Sequence, residues 1–266
     1  MYLRPETVVN DWSQVEHFIR SNPLGLLTTS IPLSGQSTIQ ASHLPFLFTS
    51  PVETPCCSSE LSNTLKNSVG GIWNQGDLGL LRCHLSRSNP QAKALLSRFN
   101  HQGNRNDAKI EKEEVLVIFS DPNNQFGYIS PQWYKSTKPS SGKTVPTWNY
   151  SELQLYGHIS LISPSEIVRH LSDTHEHLLA EKLGKNSNQQ IWSLDDAPKS
   201  YIQVLERAII GLEIKITKIG FKMKMSREKN EGDRKGVLEG LRGVPAEKGE
   251  GEAKVADLVE RLGPMK

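Results

Sequence analysis

Thr147-Trp148-Asn149-Tyr150-Ser151-Glu152-Leu153-Gln154-Leu155-Tyr156-Gly157-His158-Ile159-Ser160-Leu161-Ile162 is the stretch on which the fold turns. Apolar residues alternate with polar ones over most of it, the period of a strand with one buried face. The phase slips near Ser151-Glu152, which predicts a bulge there. Directly after it, Ser163-Pro164-Ser165-Glu166 has the form of a capping box and opens a helix to about Leu183.

Outward from this strand the same signals recur. Asn10 or Asp11 caps a helix carrying Trp12, Val15, Phe18 and Ile19, and Asn22-Pro23 stops it. Strands are predicted over 25–31, 37–48, 78–85, 115–120 and 126–130, and again over 209–219. Further helices start at Asn89-Pro90, run over 198–208 and cover 231–241. Residues 137–144 read as a Ser/Lys/Gly loop and 101–112 as a polar loop. Residues 50–76, rich in Ser, Asn, Pro and Gly, read as a mobile insertion. Residues 242–266 read as a charged flexible tail with room for one helix over 255–262. Strands follow one another without regular helical crossovers, which excludes a doubly wound parallel sheet. The expected class is mainly β with α (α+β), an antiparallel split β-barrel with flanking helices.

Composition narrows the function. The chain has 266 residues, 36% of them hydrophobic, and a net charge of +2, with mean hydropathy −0.46. No global field marks a nucleic-acid or membrane binder, and no apolar run is long enough to span a bilayer. The start of the chain does not resemble a secretory signal. The three cysteines, two of them adjacent at Cys56-Cys57, fit a reducing compartment. The expected location is cytoplasmic or nuclear, so the sequon Asn149-Tyr150-Ser151 carries no weight.

There is no Gly-x-Gly-x-x-Gly fingerprint, no Gly-x-Ser-x-Gly elbow and no His-Glu-x-x-His. Ser141-Gly142-Lys143-Thr144 echoes the end of a phosphate-binding loop, but Thr137 stands where its first glycine belongs. His170, His175 and His177 read as a solvated helix face. Three segments remain. Ser42-His43-Leu44-Pro45 places a polar pair inside a strand, where proline implies an edge or a bulge; the alternative is a hydrogen-bonded structural histidine. Arg82, His84, Ser86, Arg87 and Asn89 alternate into a helix start, a junction suited to an anion; the alternative is surface polarity plus a cap. Tyr128, Trp133, Tyr134 and Trp148 surround one loop with hydroxyl and amide groups, which suits a planar ring; the alternative is an aromatic core.

In order along the chain stand Pro23-Leu24-Gly25-Leu26-Leu27, Ser42-His43-Leu44-Pro45-Phe46, His84-Leu85-Ser86-Arg87-Ser88-Asn89-Pro90-Gln91, Val117-Ile118-Phe119, Tyr128-Ile129-Ser130-Pro131-Gln132-Trp133-Tyr134 and Val145-Pro146-Thr147-Trp148-Asn149-Tyr150. Ile210-Gly211-Leu212-Glu213-Ile214 and Asp233-Arg234-Lys235-Gly236-Val237 continue the set. Together they resemble the PaiB-type family, the FMN-binding split-barrel negative transcriptional regulators, over residues 1–241, which would form one domain. The chain departs from that family in its long 50–76 insertion and in Ser226-Arg227-Glu228-Lys229-Asn230, where a Ser-Gln-Asn-Arg-like run is usual.

The resemblance implies a homodimer with a planar cofactor near the subunit interface, FMN or alternatively haem. It nominates Ser42, His43, Arg82, His84, Arg87, Lys143, Thr147, Trp148 and Asn149 as cofactor-binding. The function implied is flavin binding with a regulatory or redox-sensing role, the alternative being a flavin- or haem-dependent oxidoreductase. Direct DNA binding is a third reading. It rests on Lys215, Lys218, Lys222, Lys224, Arg227, Lys229, Arg234 and Lys235, several of which alternate with Phe221, Met223 and Met225 as on any half-buried strand.

Overall fold

A computed structural model describes residues 1–51, 68, 70–101, 114–121, 127–184, 191–245, 247 and 250–263. The chain opens with α1 (Trp12–Ser21), whose N-cap Asp11 accepts from Ser13 N at 3.0 Å. At its end the Asn22 side chain donates back to Phe18 O at 2.9 Å, and Pro23 follows. Next come β1 (Leu24–Ser30), β2 (Ile39–Pro45), β3 (Leu47–Thr49), β4 (Ile72–Trp73), β5 (Leu80–Ser86) and α2 (Pro90–His101). They are followed by β6 (Val115–Ser120), β7 (Tyr128–Ile129), α3 (Thr137–Ser141), β8 (Thr147–Trp148) and β9 (Tyr150–Ile162). The chain ends with α4 (Pro164–Lys182), α5 (Lys199–Arg207), β10 (Ile209–Lys224), α6 (Glu231–Arg242) and α7 (Glu250–Leu262).

The main sheet runs β2-β1-β6-β9-β10-β5-β3, with β4 added on β10. Each pairing is antiparallel. Its two edge strands are consecutive in sequence, so the sheet curls until one continuous segment, 39–49, forms both edges. The change of partner falls on Phe46. Pro45 still pairs with Leu24, Phe46 N donates to Pro23 O at 2.8 Å, and Leu47 already faces Arg82. The single strand expected over 37–48 is therefore two, and Pro45 marks the corner, since a proline has no N–H to give a ladder.

The inside of the barrel is set by alternation. Leu27, Leu81, Cys83, Val117, Phe119, Leu153, Leu155, Ile159, Leu212 and Ile214 are all buried in one core. In β9 the phase is unbroken from Tyr150 to Ile159; the slip expected near Ser151 lies instead in its partner. Along β10 the buried positions are Ile210, Leu212, Ile214 and Ile216, then Ile219, Phe221 and Met223. One extra residue, Thr217, changes the parity, and the register shifts between Ile216 and Lys218. β10 thus continues past the expected Ile219 to Lys224, because Phe221 and Met223 resume the inward phase.

A helix packs at each mouth. α1 places Phe18 on Phe221 at 4.7 Å and Trp12 edge-on to Trp73 at 6.0 Å. α2 buries Ala92, Leu95 and Phe99 at the other mouth, and its Gln91 side chain donates to Leu27 O at 3.2 Å and Thr29 Oγ1 at 3.0 Å. α4 crosses β3, β5 and β10 on the outside. It starts where the capping box was expected, but the Ser163 side chain makes no cap bond and meets Ser165 Oγ at 2.8 Å. Among the described residues no helix is long and apolar enough to cross a membrane.

A second, smaller core joins Ile129, Tyr134, Met225, Val237 and Leu241 to Val255, Ala256 and Val259. Part of the expected tail is therefore packed helix rather than free chain: α7 presents one apolar stripe to α6. Arg234 fastens it, donating to Val259 O at 2.6 Å and Gly263 O at 2.8 Å, which closes carbonyls left open at the helix end. Residues 137–141, expected as loop, form the short α3. Of the insertion expected at 50–76, residues 52–67 and 69 lie outside the described residues, while Ile72 and Trp73 belong to the sheet and Trp73 is fully buried. Cys56, Cys57, Phe126 and nearly all of the polar loop over 101–112 also lie outside the described residues.

Candidate functional site

The loop between β7 and β9 is held from beneath by α6. Ser130 caps a turn over Pro131–Trp133, accepting from Gln132 N at 3.2 Å. Trp133 lies against Gly236 and Gly240; a Cβ at either position would overlap the Trp133 carbonyl or ring, so α6 requires glycine at both. Asp233 is buried and accepts from Ser136 N at 2.9 Å, Thr137 N at 3.0 Å, Asn230 Nδ2 at 2.9 Å and Thr137 Oγ1. Burial alone would raise its pKa, but these donors outweigh it and hold the carboxylate below its ordinary value.

On that base stand four of the nominated residues. Asn149 is fully buried. Its N–H donates to Gly127 O at 2.6 Å and its side chain to Ser226 Oγ at 3.0 Å. Ser226 adopts a left-handed backbone, φ 54°. Asn149 thus breaks the strand between β8 and β9 and ties it to the turn after β10; it faces no cleft. Thr147 and Trp148 take opposite faces of β8, Trp148 the exposed one. Thr147 Oγ1 accepts from Lys224 Nζ, and Trp148, 51% exposed, stands edge-on to Tyr128 at 5.5 Å. Lys143 is exposed on the loop after α3.

The other nominees lie elsewhere. Ser42 Oγ accepts from Asn89 Nδ2 at 3.1 Å, and Asn89 Oδ1 accepts from Gln91 N at 2.8 Å at the start of α2. These residues line an open hollow of about 580 Å³ with Gln36, Ser37 and Gln40. Arg87 Nε donates to Arg207 O at 3.0 Å. Arg82 Nε pairs with Glu213 Oε2 at 2.8 Å, half-buried, across the β5–β10 ladder. His84 is half-buried on the same outer side, and burial lowers its pKa. His43 is exposed on the outer face beside Leu26.

The nominees therefore form two groups rather than one cleft. Ser42, Arg82, His84 and Arg87 gather around the α2 mouth and the outer side of β5. Thr147, Trp148 and Asn149 sit beyond the opposite end of β9. That strand has 13 residues, which at ~3.3 Å each is on the order of 40 Å. Between the groups lies the open outer face of β2, β1 and β6. Leu24 and Ile39 are 58% and 69% exposed there, and Leu26, Leu116 and Ile118 are half-buried.

Sequence reasoning named Lys222 and Lys224 only for DNA binding and Tyr150 only within the Val145–Tyr150 segment, and it joined none of them to the cofactor site. Lys222 Nζ donates to Tyr150 OH at 2.8 Å, beside the Lys224–Thr147 contact. The alternation of lysines with Phe221 and Met223 did place them on one strand face, but not which neighbours that face has. His175 and His177 each bring Nδ1 within 2.6 Å of the carbonyl four residues back, Leu171 and Asp173.

A curled antiparallel sheet closed on one segment, with helices at both mouths, is the split-barrel class. The model of a family described as a putative FMN-binding domain matches residues 1–218, and the chain belongs to that family. An uncharacterized protein of Aspergillus fumigatus is 36% identical over 277 residues, covering 100% of this chain and 99% of that one. The protease synthase and sporulation protein PAI 2 of Bacillus subtilis is 31% identical over 149 residues, 56% of this chain and 63% of its own length. Among solved structures, the FAD and haem binding protein from Mycobacterium smegmatis aligns with TM-score 0.41 and 12% identity, covering 81% of this chain and 72% of that chain.

Proposed function

We propose that two copies of this chain bind a flavin, FMN first, in the seam between them, and that the bound flavin serves a redox-sensing role with regulatory output. Family membership supports the flavin. The observation that supports the seam is that Arg82, His84 and Arg87 lie toward one end of β9 and Thr147 toward the other. An isologous pairing lays the Arg87 end of one copy beside the Thr147 end of the other. The apolar residues Leu24, Leu26, Ile39, Leu116 and Ile118 give such a pairing a face to bury.

The residues present suit such a ligand in kind: Trp148 offers a ring wall, Thr147 and Ser42 offer hydroxyls, and unpaired ammonium groups offer charge. The test is the absorbance of the purified protein, its mass in solution and FMN titration. The expected result is a flavin-binding dimer with one FMN per chain, and Leu26→Asp that is monomeric and colourless. A monomer that binds FMN as tightly as the wild type, or a protein without flavin affinity, sinks the reading.

Haem is the second reading, favoured by His43, whose exposed imidazole stands on the open face. A Soret band in the purified protein, lost in His43→Ala, selects it. Steady nicotinamide oxidation by the flavin-loaded protein selects the oxidoreductase alternative.

A further inference from the structure

We propose that Lys222, Lys224 and Lys229, together with the hydroxyls of Thr147 and Tyr150, form the receiving site for a phosphate monoester. That the ester is the flavin's own phosphate rests on the reading above; the site itself does not.

The geometry is that of two ammonium groups held by neutral acceptors. Lys222 Nζ donates to Tyr150 OH at 2.8 Å and Lys224 Nζ to Thr147 Oγ1. An ammonium has three N–H donors, so each lysine keeps donors in reserve. Each hydroxyl has accepted with its oxygen, which leaves its own proton free to point away from the lysine. Two ammonium groups and two hydroxyl protons thus present donors side by side, with Lys222 Nζ also reaching Tyr2 O at 3.4 Å and Glu152 standing opposite Lys222 in the ladder. That inventory suits phosphate oxygens, which only accept from such a set.

Charge leads to the same ligand. Among the described residues, neither Lys222 nor Lys224 has a carboxylate within 4.0 Å. Lys229 reaches only Glu228, at 4.0 Å, and stands 4.8 Å over the Tyr134 ring. Burial foremost, and then Lys222, Lys229 and Arg4, hold the Lys224 ammonium below its usual range against the opposing pull of Glu228. Like charges gathered in a half-buried place repel, and a dianion placed among them turns that repulsion into attraction. At the rival position, Arg87 Nε donates to Arg207 O at 3.0 Å and the carboxylate of Glu206 lines the same hollow.

The base beneath the cluster is stiff. β9 and β10 pair without interruption from Tyr150↔Lys224 to Tyr156↔Lys218, so Lys222, Lys224 and Tyr150 are placed by one ladder. Thr147 is anchored by Asn149, whose side chain is bonded to Ser226.

Full-chain protein is titrated with FMN and with riboflavin, which differ only by the phosphate. The wild type is expected to prefer FMN by roughly 100-fold, at about tenfold for each charge-assisted contact. In K222Q/K224Q that preference falls to roughly threefold or less while riboflavin affinity is unchanged. Thr147→Val, which leaves both lysines in place, lowers it by about fivefold and covers the case of a double variant that fails to fold. Arg169→Gln, on α4 and paired with Asp195 outside both groups, leaves the preference intact. Survival of the preference in K222Q/K224Q, or its collapse in Arg87→Ala alone, overturns the proposal. If neither flavin binds, the flavin reading fails by itself and inorganic phosphate decides. Broadening of the phosphate resonance by wild type that is absent with K222Q/K224Q upholds the site; equal broadening, or none with either, overturns it.

Discussion

The two ends of β9 are built from similar residue types and do opposite things with them. At the Arg87 end polar groups are consumed internally. Arg82 is matched by Glu213 and Ser42 by Asn89, and Arg87 Nε is bonded to the Arg207 carbonyl. At the Thr147 end cations crowd together with hydroxyls, with Glu228 4.0 Å from Lys229 and Glu152 opposite Lys222 in the ladder. A charge that already has a partner holds the fold together. A charge without one adds repulsion to the fold, and it persists only on a frame stiff enough to carry it. The sequence nominated both ends for the same chemistry. The structure separates a fastened end from an open one.

If the open end depends on its frame, Asp233 is where the comparison breaks most visibly. Asp233→Ala removes the acceptor for Ser136 N, Thr137 N, Thr137 Oγ1 and Asn230 Nδ2 together. A loss of about 3 kcal/mol in urea unfolding is expected, since buried donors are left without partners. The pH dependence follows from the depressed pKa. A carboxylate whose folded pKa lies below its unfolded one, about 3.9, stabilises fully above that value. The contribution disappears as pH falls through the folded pKa, so acid unfolding of Asp233→Asn should show a weaker slope below about pH 4 than wild type.

Arg234 carries the next largest effect. Arg234→Met keeps the buried stem but gives up both bonds to the end of α7. About 2 kcal/mol is expected. Amide exchange should rise in 250–262 well before it rises in the barrel strands, because α7 meets the rest of the molecule through α6 and the small core. Equal acceleration in β9 would mean that the second core and the barrel open as one unit.

Much of this frame was legible in the sequence, for reasons tied to particular residues. The alternation from Tyr150 to Ile159 marked β9, Val115–Ser120 is the strand the apolar run predicted, and Asp11 and Asn89 cap the helices they precede. The slip in phase was legible but assigned to the wrong strand. Asn149 interrupts the chain before β9, and the true bulge at Thr217 sits in β10, where Ile216 and Ile219 are both apolar and conceal the change of parity. The corner at Phe46 was half legible, since Pro45 announced a break without saying that the chain passes to the far edge. The site was least legible. Arg82, Arg87 and Asn149 are of types that bind ligands and types that fasten folds, and only their partners decide between the two.

His84 sharpens the fastened end with a smaller effect. Burial lowers its pKa, so the unfolded chain binds a proton more readily than the folded one. Stability therefore rises as pH climbs from the folded pKa to the unfolded value near 6.5, and the penalty is full below the folded pKa. His84 is partly open to solvent, which keeps the effect to less than about 1 kcal/mol. His84→Gln should flatten this part of the stability profile.

The smallest effect is expected from Arg82, and it bears most directly on how the two ends differ. The Arg82–Glu213 pair is half-buried, with side chains 31% and 25% exposed, and sits outside the barrel core. Pairs in such settings contribute less than about 1 kcal/mol, because desolvation and side-chain ordering offset most of the attraction. Arg82→Met should therefore leave the unfolding midpoint nearly unchanged. It should also leave the preference for FMN over riboflavin unchanged, although the sequence places Arg82 among phosphate-binding candidates. Loss of that preference in Arg82→Met would show that Glu213 surrenders its partner to the ligand, and the fastened end would then be the working one.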